Sequence, residues 1–207
     1  MWEKNRMHIP LPALLIIDMQ KCMAMPAAGE RNNPHAERNI ESLLEAWRGA
    51  GGAIVHVRHI SRSPTSMFAP GQVGAEFQMQ FMPLPDAHVV EKNVPDAFIN
   101  TGLERWLRVR GIERVVIVGV STNNSVEASA RTAGNLGFDT VVVADATFAF
   151  AKADYAGNLR SADDVHAMAL ANLDGEYASI ATTCDVLGQL EKGAGSARAA
   201  HPFNQLP

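Results

Sequence analysis

Three residues join a reactive side chain to a place at the end of an apolar run. Asp18 follows LLII, Lys92 closes HVVEK, and Ser125 ends the polar turn STNNS that follows RVVIVGV. A carboxylate leaving an apolar run is partly dehydrated, which raises its pKa towards general acid–base use. The plainer role for Asp18 is a helix N-cap before MQ. For Lys92 it is a solvated charge at the edge of a strand. A hydroxyl at the start of a helix, as at Ser125, lies beside backbone N–H groups and the positive end of the dipole. That suits a nucleophile or an oxyanion site, and it equally suits simple capping. His56 and His59 invite a metal reading. Three residues apart in a strand they point to opposite faces, so a joint site is not expected. No GxGxxG, P-loop or HExxH motif is present.

Positioning such residues requires elements, and the chain supplies them in alternation. Apolar runs at 13–17, 53–57, 88–90, 114–119, 140–144 and 178–182 are near-continuous rather than alternating, as in strands buried on both faces of a parallel sheet. Amphipathic stretches lie between them, at 36–50, 101–109, 124–136 and 163–173. The first places Ile40, Leu43, Leu44 and Trp47 on one face and stops at Gly51-Gly52. Strand and helix in turn predict an open α/β sheet. Residues 61–85, rich in Pro and Gly, break the rhythm and read as a lid or binding loop. The tail from 193 reads as a flexible terminus or an oligomer arm. No internal repeat or domain boundary appears, so one domain over 1–207 with a core of about 12–188 is expected.

Composition narrows the function classes. With 207 residues of which 47% are hydrophobic, the chain can build a real core and is not a disordered segment. A net charge of −4 argues against a nucleic-acid partner. No apolar run reaches the ~18–20 residues of a membrane span, and the start MWEKNRMHIP lacks the pattern of a secretory signal. A cytoplasmic location is expected. The two cysteines, Cys22 and Cys184, are in no metal-ligand spacing.

Three segments in order, ALLIIDMQ, VVEKNVPDAFINTGLE and IVGVSTNNSVEASARTAGNLGFDTVVVADAT, resemble the isochorismatase-like hydrolases, the superfamily that includes the cysteine hydrolases. The resemblance covers roughly residues 12–188. It implies a three-layer α/β/α fold with a six-stranded parallel sheet, order 3-2-1-4-5-6, in which Asp18, Lys92 and Ser125 meet as the catalytic group. It implies a non-proline cis peptide at Val120–Ser121, with the amides of Ser121 and Ser125 forming an oxyanion hole. A homo-oligomer, dimer or tetramer, is also implied, and the face near residues 128–136 is the candidate interface.

One departure bears on mechanism. The cysteine hydrolases place Cys where this chain has Ser125. Proton transfer from a thiol near ~8.5 to a carboxylate near ~3.9 costs roughly 6 kcal/mol before tuning. From a hydroxyl near ~15.7 it costs on the order of 16 kcal/mol. Three readings follow. Ser125 replaces the cysteine of an amide or ureido hydrolase. Or the chain resembles the cysteine-free true isochorismatases, in which an Asp protonates a vinyl ether. Or it binds a small carbonyl compound without turning it over. Arg58, Phe68, Phe98 and Asn124 are position-based candidates for lining a small-molecule substrate. Asp96 and Met23 stand where the family often has Ser and an aromatic residue. The segment HVRHISRSPTS lacks the carboxylate of the nicotinamidase metal pair, so neither a metal nor another cofactor is expected.

Overall fold

A computed structural model describes residues 11–198. In chain order the elements are β1 (Ala13–Ile17), α1 (Ala36–Ala50), β2 (Ile54–His59), β3 (His88–Lys92), α2 (Leu103–Val109), β4 (Arg114–Val120), α3 (Glu127–Asn135) and β5 (Asp139–Phe148). Then come β6 (Lys152–Ala153), β7 (Leu159–Arg160), α4 (Ala162–Ala171), β8 (Ser179–Ala181) and α5 (Thr183–Arg198). Six strands form one parallel sheet, β3-β2-β1-β4-β5-β8, while β6 and β7 pair as a small antiparallel ribbon. This is the expected order, with β8 in sixth place because the ribbon intervenes in sequence.

All five residues of β1 are buried, which is why its sequence is apolar throughout. Leu15, Ile17, Val57 and Ile117 face Leu103 and Leu107 of α2 and Ala130 and Ala133 of α3. Leu14, Ile16, Val116 and Val118 face the other way, onto Ile40, Leu43, Leu44 and Trp47 of α1 and Val186 and Leu190 of α5. Each large side chain so buried contributes about 1.5–3 kcal/mol. Helix α1 ends at Gly51, whose φ of 67° lets its N–H turn back to the Arg48 and Trp47 carbonyls.

Several expectations need correction. Helix α3 starts at Glu127, later than 124, because residues 122–126 form a wider π turn. Its small apolar face is spent inside the molecule: Ala130 and Ala133 are fully buried, so that face is not a free interface. Helix α5 was not foreseen, and it carries the chain through Arg198 where a tail had been expected from 193. The rest of that tail, 199–207, lies outside the described residues. The insertion at 61–85, expected as a lid or binding loop, is seated against the fold at its second half: Phe77 and Phe81 are buried, and Gln78 N–H bonds the Met19 carbonyl at 3.0 Å. Strand β5 is longer than its apolar core because it bulges against β4, pairing Val142 with Ile117 but Thr147 with Gly119. Asn33 satisfies that bulge, its amide donating to the Ala144 and Thr147 carbonyls at 2.8 and 2.6 Å.

Candidate active site

Strand order reverses between β1 and β4, and the carboxyl ends there are where open α/β sheets take ligands. Register places Ile17 beside Val57 and Gly119, and Lys92 beside His59. Asp18 therefore leaves β1 at the same edge where Lys92 ends β3. Gly119 allows the close passage of β4. Its φ is 116°, and a Cβ there would lie 2.1 Å from the Ile17 carbonyl oxygen. The peptide Val120–Ser121 is cis, as the resemblance implied.

Asp18, Lys92 and Ser125 come together. Lys92 Nζ donates to Asp18 Oδ2 at 2.7 Å and to Ser125 Oγ at 3.2 Å, and all three residues are buried. The Lys92 stem spans the two inter-strand spacings between β3 and β1. Asp18 has φ 50°, a left-handed conformation that Asp tolerates better than most residues. Its Oδ1 has no hydrogen-bond partner among the described residues. Burial pushes the Asp18 carboxyl above its ordinary value, against the opposing pull of Lys92 and Ser125.

The turn carrying Ser125 is held by its own backbone. The Ser121 carbonyl accepts from Asn124 N–H at 3.0 Å and Val126 N–H at 3.2 Å, while Ser121 Oγ donates to Asn123 Oδ1 at 2.7 Å. No histidine ring hydrogen-bonds to Ser125 among the described residues.

The candidate lining residues divide. Phe68 lies edge-on to His59, with ring centroids 5.3 Å apart. His59 is pushed down by burial and by the Lys92 ammonium, with Asp18 opposing, so both charged groups lie near its ring. Arg58 is one residue away and therefore on the opposite face, where Glu91 holds its Nε at 2.9 Å and Phe77 lies under its guanidinium. Phe98 is a core side chain packed near Phe138. Asn124 is exposed, contributing its N–H to the turn. Asp96, where the family often has Ser, accepts from Phe98 N–H at 2.8 Å and from the Thr132 hydroxyl, tying the segment before α2 to α3.

Sequence reasoning missed Gln20. Fully buried, it donates to the His59 and Ala75 carbonyls at 2.9 and 2.8 Å and accepts from His59 N–H at 2.8 Å. It joins the ends of β1 and β2 to the insertion, so the wall beside Asp18 is fixed. The only signal was a polar residue directly after the DM of an apolar run. Cys22 is buried with its thiol pushed up to about 11, which makes it a poor nucleophile. Among the described residues no group of three or more His, Cys, Asp or Glu is placed to hold a metal ion, and no helix is long and apolar enough to cross a membrane.

The six-stranded parallel sheet, with Asp18, Lys92 and Ser125 buried together at its switch point, has the α/β fold of the isochorismatase family. The Isochorismatase domain model matches residues 12–183, and the chain belongs to that family, whose members are hydrolases. A solved structure of a putative isochorismatase-family hydrolase from Chromobacterium violaceum is 47% identical. It superposes with a TM-score of 0.86 over 90% of this chain and all of that one. The uncharacterized isochorismatase family protein YrdC of Bacillus subtilis is 38% identical over 87% of this chain and 96% of its own. A streptothricin hydrolase of Streptomyces noursei is 34% identical over 65% of this chain and 48% of its own.

Proposed function

We propose that this hydrolase cleaves a small vinyl ether of the isochorismate type, with Asp18 as the proton donor and no covalent intermediate. The observation that carries this reading is the second oxygen of Asp18, buried and unpartnered on a carboxyl whose pKa burial raises. A general acid must hold its proton until the reaction takes it and must have an atom free to deliver it. Proton transfer from Asp18 to the terminal vinyl carbon leaves an oxocarbenium ion. Water adds to the cationic carbon, and the hemiketal collapses to a ketone and an alcohol, the water's proton restoring Asp18. Lys92, 2.7 Å from Asp18, stabilises the carboxylate formed in the first step.

Ser125 fits this chemistry better than covalent attack. Its hydrogen-bond partner is the Lys92 ammonium, which donates to the hydroxyl, and the Asp18 carboxyl beside it is the one that burial makes reluctant to ionise and so a poor base. The amides of Ser121 and Ser125 are the donors we assign to a carboxylate or carbonyl of the substrate. A homo-oligomeric state remains part of this proposal, without the α3 face as its interface.

A second reading, amide hydrolysis at a site whose cysteine is replaced by Ser125, is favoured by the resemblance to the cysteine hydrolases, which place Cys at this position. Isochorismate and a small amide panel, tested on wild type, Ser125→Ala and Ser125→Cys, decide between them. The vinyl-ether reading expects isochorismate turnover by wild type and little change in Ser125→Ala. The amide reading expects a gain of several orders of magnitude in amide hydrolysis in Ser125→Cys, each ~1.36 kcal/mol recovered being tenfold. Ligand-induced thermal stabilisation with no turnover in any form overturns both and leaves a binding protein.

A further inference from the structure

Of the buried histidines His56 and His166, only His166 touches the turn that carries Ser125. It projects from α4, and its Nδ1 lies 2.8 Å from the hydroxyl of Thr122, the first residue of the π turn. Thr122 is fully buried, so its hydroxyl has no water to turn to. The other side of the ring faces the Ala144 carbonyl and the Asn33 amide, with Nε2 at 3.5 Å from Asn33 Nδ2.

Counting hydrogens assigns the tautomer. Asn33 Nδ2 has two, and both are already given to the Ala144 and Thr147 carbonyls. Nε2 therefore gains nothing as an acceptor there, but as a donor it meets the Ala144 carbonyl. Nδ1 is left with its lone pair, and the Thr122 hydroxyl donates into it. Burial pushes the ring below its ordinary value, with Asp163 and the Ala144 carbonyl opposing, so the neutral ring is the form that holds this bond.

The bond matters because of the kind of turn it grips. A π turn has one residue more than the α-helix it leads into, and the extra residue can be lost by a slip of register. Such a slip would carry Ser125 and its N–H away from Lys92. Resting on the reading of Asp18, Lys92 and Ser125 as the site, we infer that His166 is a positioning residue: by holding the Thr122 hydroxyl it fixes the register of the turn that presents Ser125.

The test needs no substrate. A cysteine introduced by Ser125→Cys, in a background with exposed Cys184 changed by Cys184→Ser, is alkylated with iodoacetamide and followed by mass spectrometry. Cys22, whose thiol is pushed up to about 11, is resolved from position 125 by peptide mapping. A thiol held beside the Lys92 ammonium reacts fast as its thiolate. His166→Leu is expected to slow alkylation by about tenfold or more, Thr122→Val to do the same, and the double variant to add no more than about threefold. His166→Gln, which can accept from Thr122 and donate to Ala144, should recover the rate to within about threefold of the reference, a rescue that mere volume would not give. Thr122→Val carries the test alone should His166→Leu not fold.

Folded variants alkylated at the reference rate, or losses that multiply in the double variant, would overturn the inference. Lys92→Met separates the two claims. If it leaves the rate unchanged while His166→Leu slows it, the electrostatic reading of the site fails and the positioning by His166 stands.

Discussion

Asp18 and Gln20 leave β1 two residues apart, both almost wholly buried, and the fold treats them in opposite ways. Every polar atom of the Gln20 amide has a partner, in two other stretches of chain. Asp18 spends one oxygen on Lys92 and leaves the other with none. A buried polar group that only holds structure together is satisfied, because an unmade bond costs about 1–3 kcal/mol. The unpartnered oxygen on a carboxyl already made reluctant to ionise is the exception that the proton-donor role proposed for Asp18 accounts for. His56 shows that an unpartnered atom alone does not make a site. Its Nδ1 is equally buried and unmatched, but Phe77 packs on its ring and no ammonium stands at hydrogen-bond distance.

The contrast can be broken at either member. The largest effect is expected from Asp18→Asn, which keeps an acceptor for Lys92 but has no proton to give. Turnover of the vinyl ether should fall by about 10²–10⁴ with little change in KM, read by steady-state kinetics. Retention of most of the rate would contradict the role given to Asp18.

Gln20→Leu should act on stability instead. It strands the His59 N–H and the His59 and Ala75 carbonyls in a buried place, and a loss of about 3 kcal/mol in urea unfolding is expected. A loss below about 1 kcal/mol would mean that water replaces the amide, and the contrast with Asp18 would weaken.

His56 gives the smallest and most gradual effect. Burial lowers its pKa from 6.5 to about 4, with Arg48 adding to the shift. Between those values the unfolded chain binds the proton and the folded one does not. Stability is therefore full above 6.5 and falls as pH drops towards 4, by up to about 3 kcal/mol. Unfolding measured across this window should show that slope in the wild type and a flatter one in His56→Leu.

Most of the fold was legible because strands buried on both faces must be written in apolar residues, and β1 and β4 are. Asp18 and Lys92 stand where an apolar run stops and Ser125 in the polar turn after one, and it was the resemblance that implied their meeting. Partners chosen across the chain were not legible. Asn33 settles the β5 bulge from more than a hundred residues away, and nothing local to residues 139–148 announces the extra residues. His166 reads as an ordinary residue of an amphipathic helix until α4 is laid against the turn. Arg58 was misplaced by a single step of strand alternation: His59 takes the site face, so its neighbour cannot.

The proposed mechanism turns on one proton, that of Asp18. A carbon-13 titration of the Asp18 carboxyl, assigned by difference against Asp18→Asn, observes it directly. A midpoint clearly above the ordinary 3.8 is the result expected, with turnover declining as pH rises through that same midpoint. A carboxyl that ionises at or below 3.8 would leave Asp18 with no proton to deliver and contradict the mechanism at its first step.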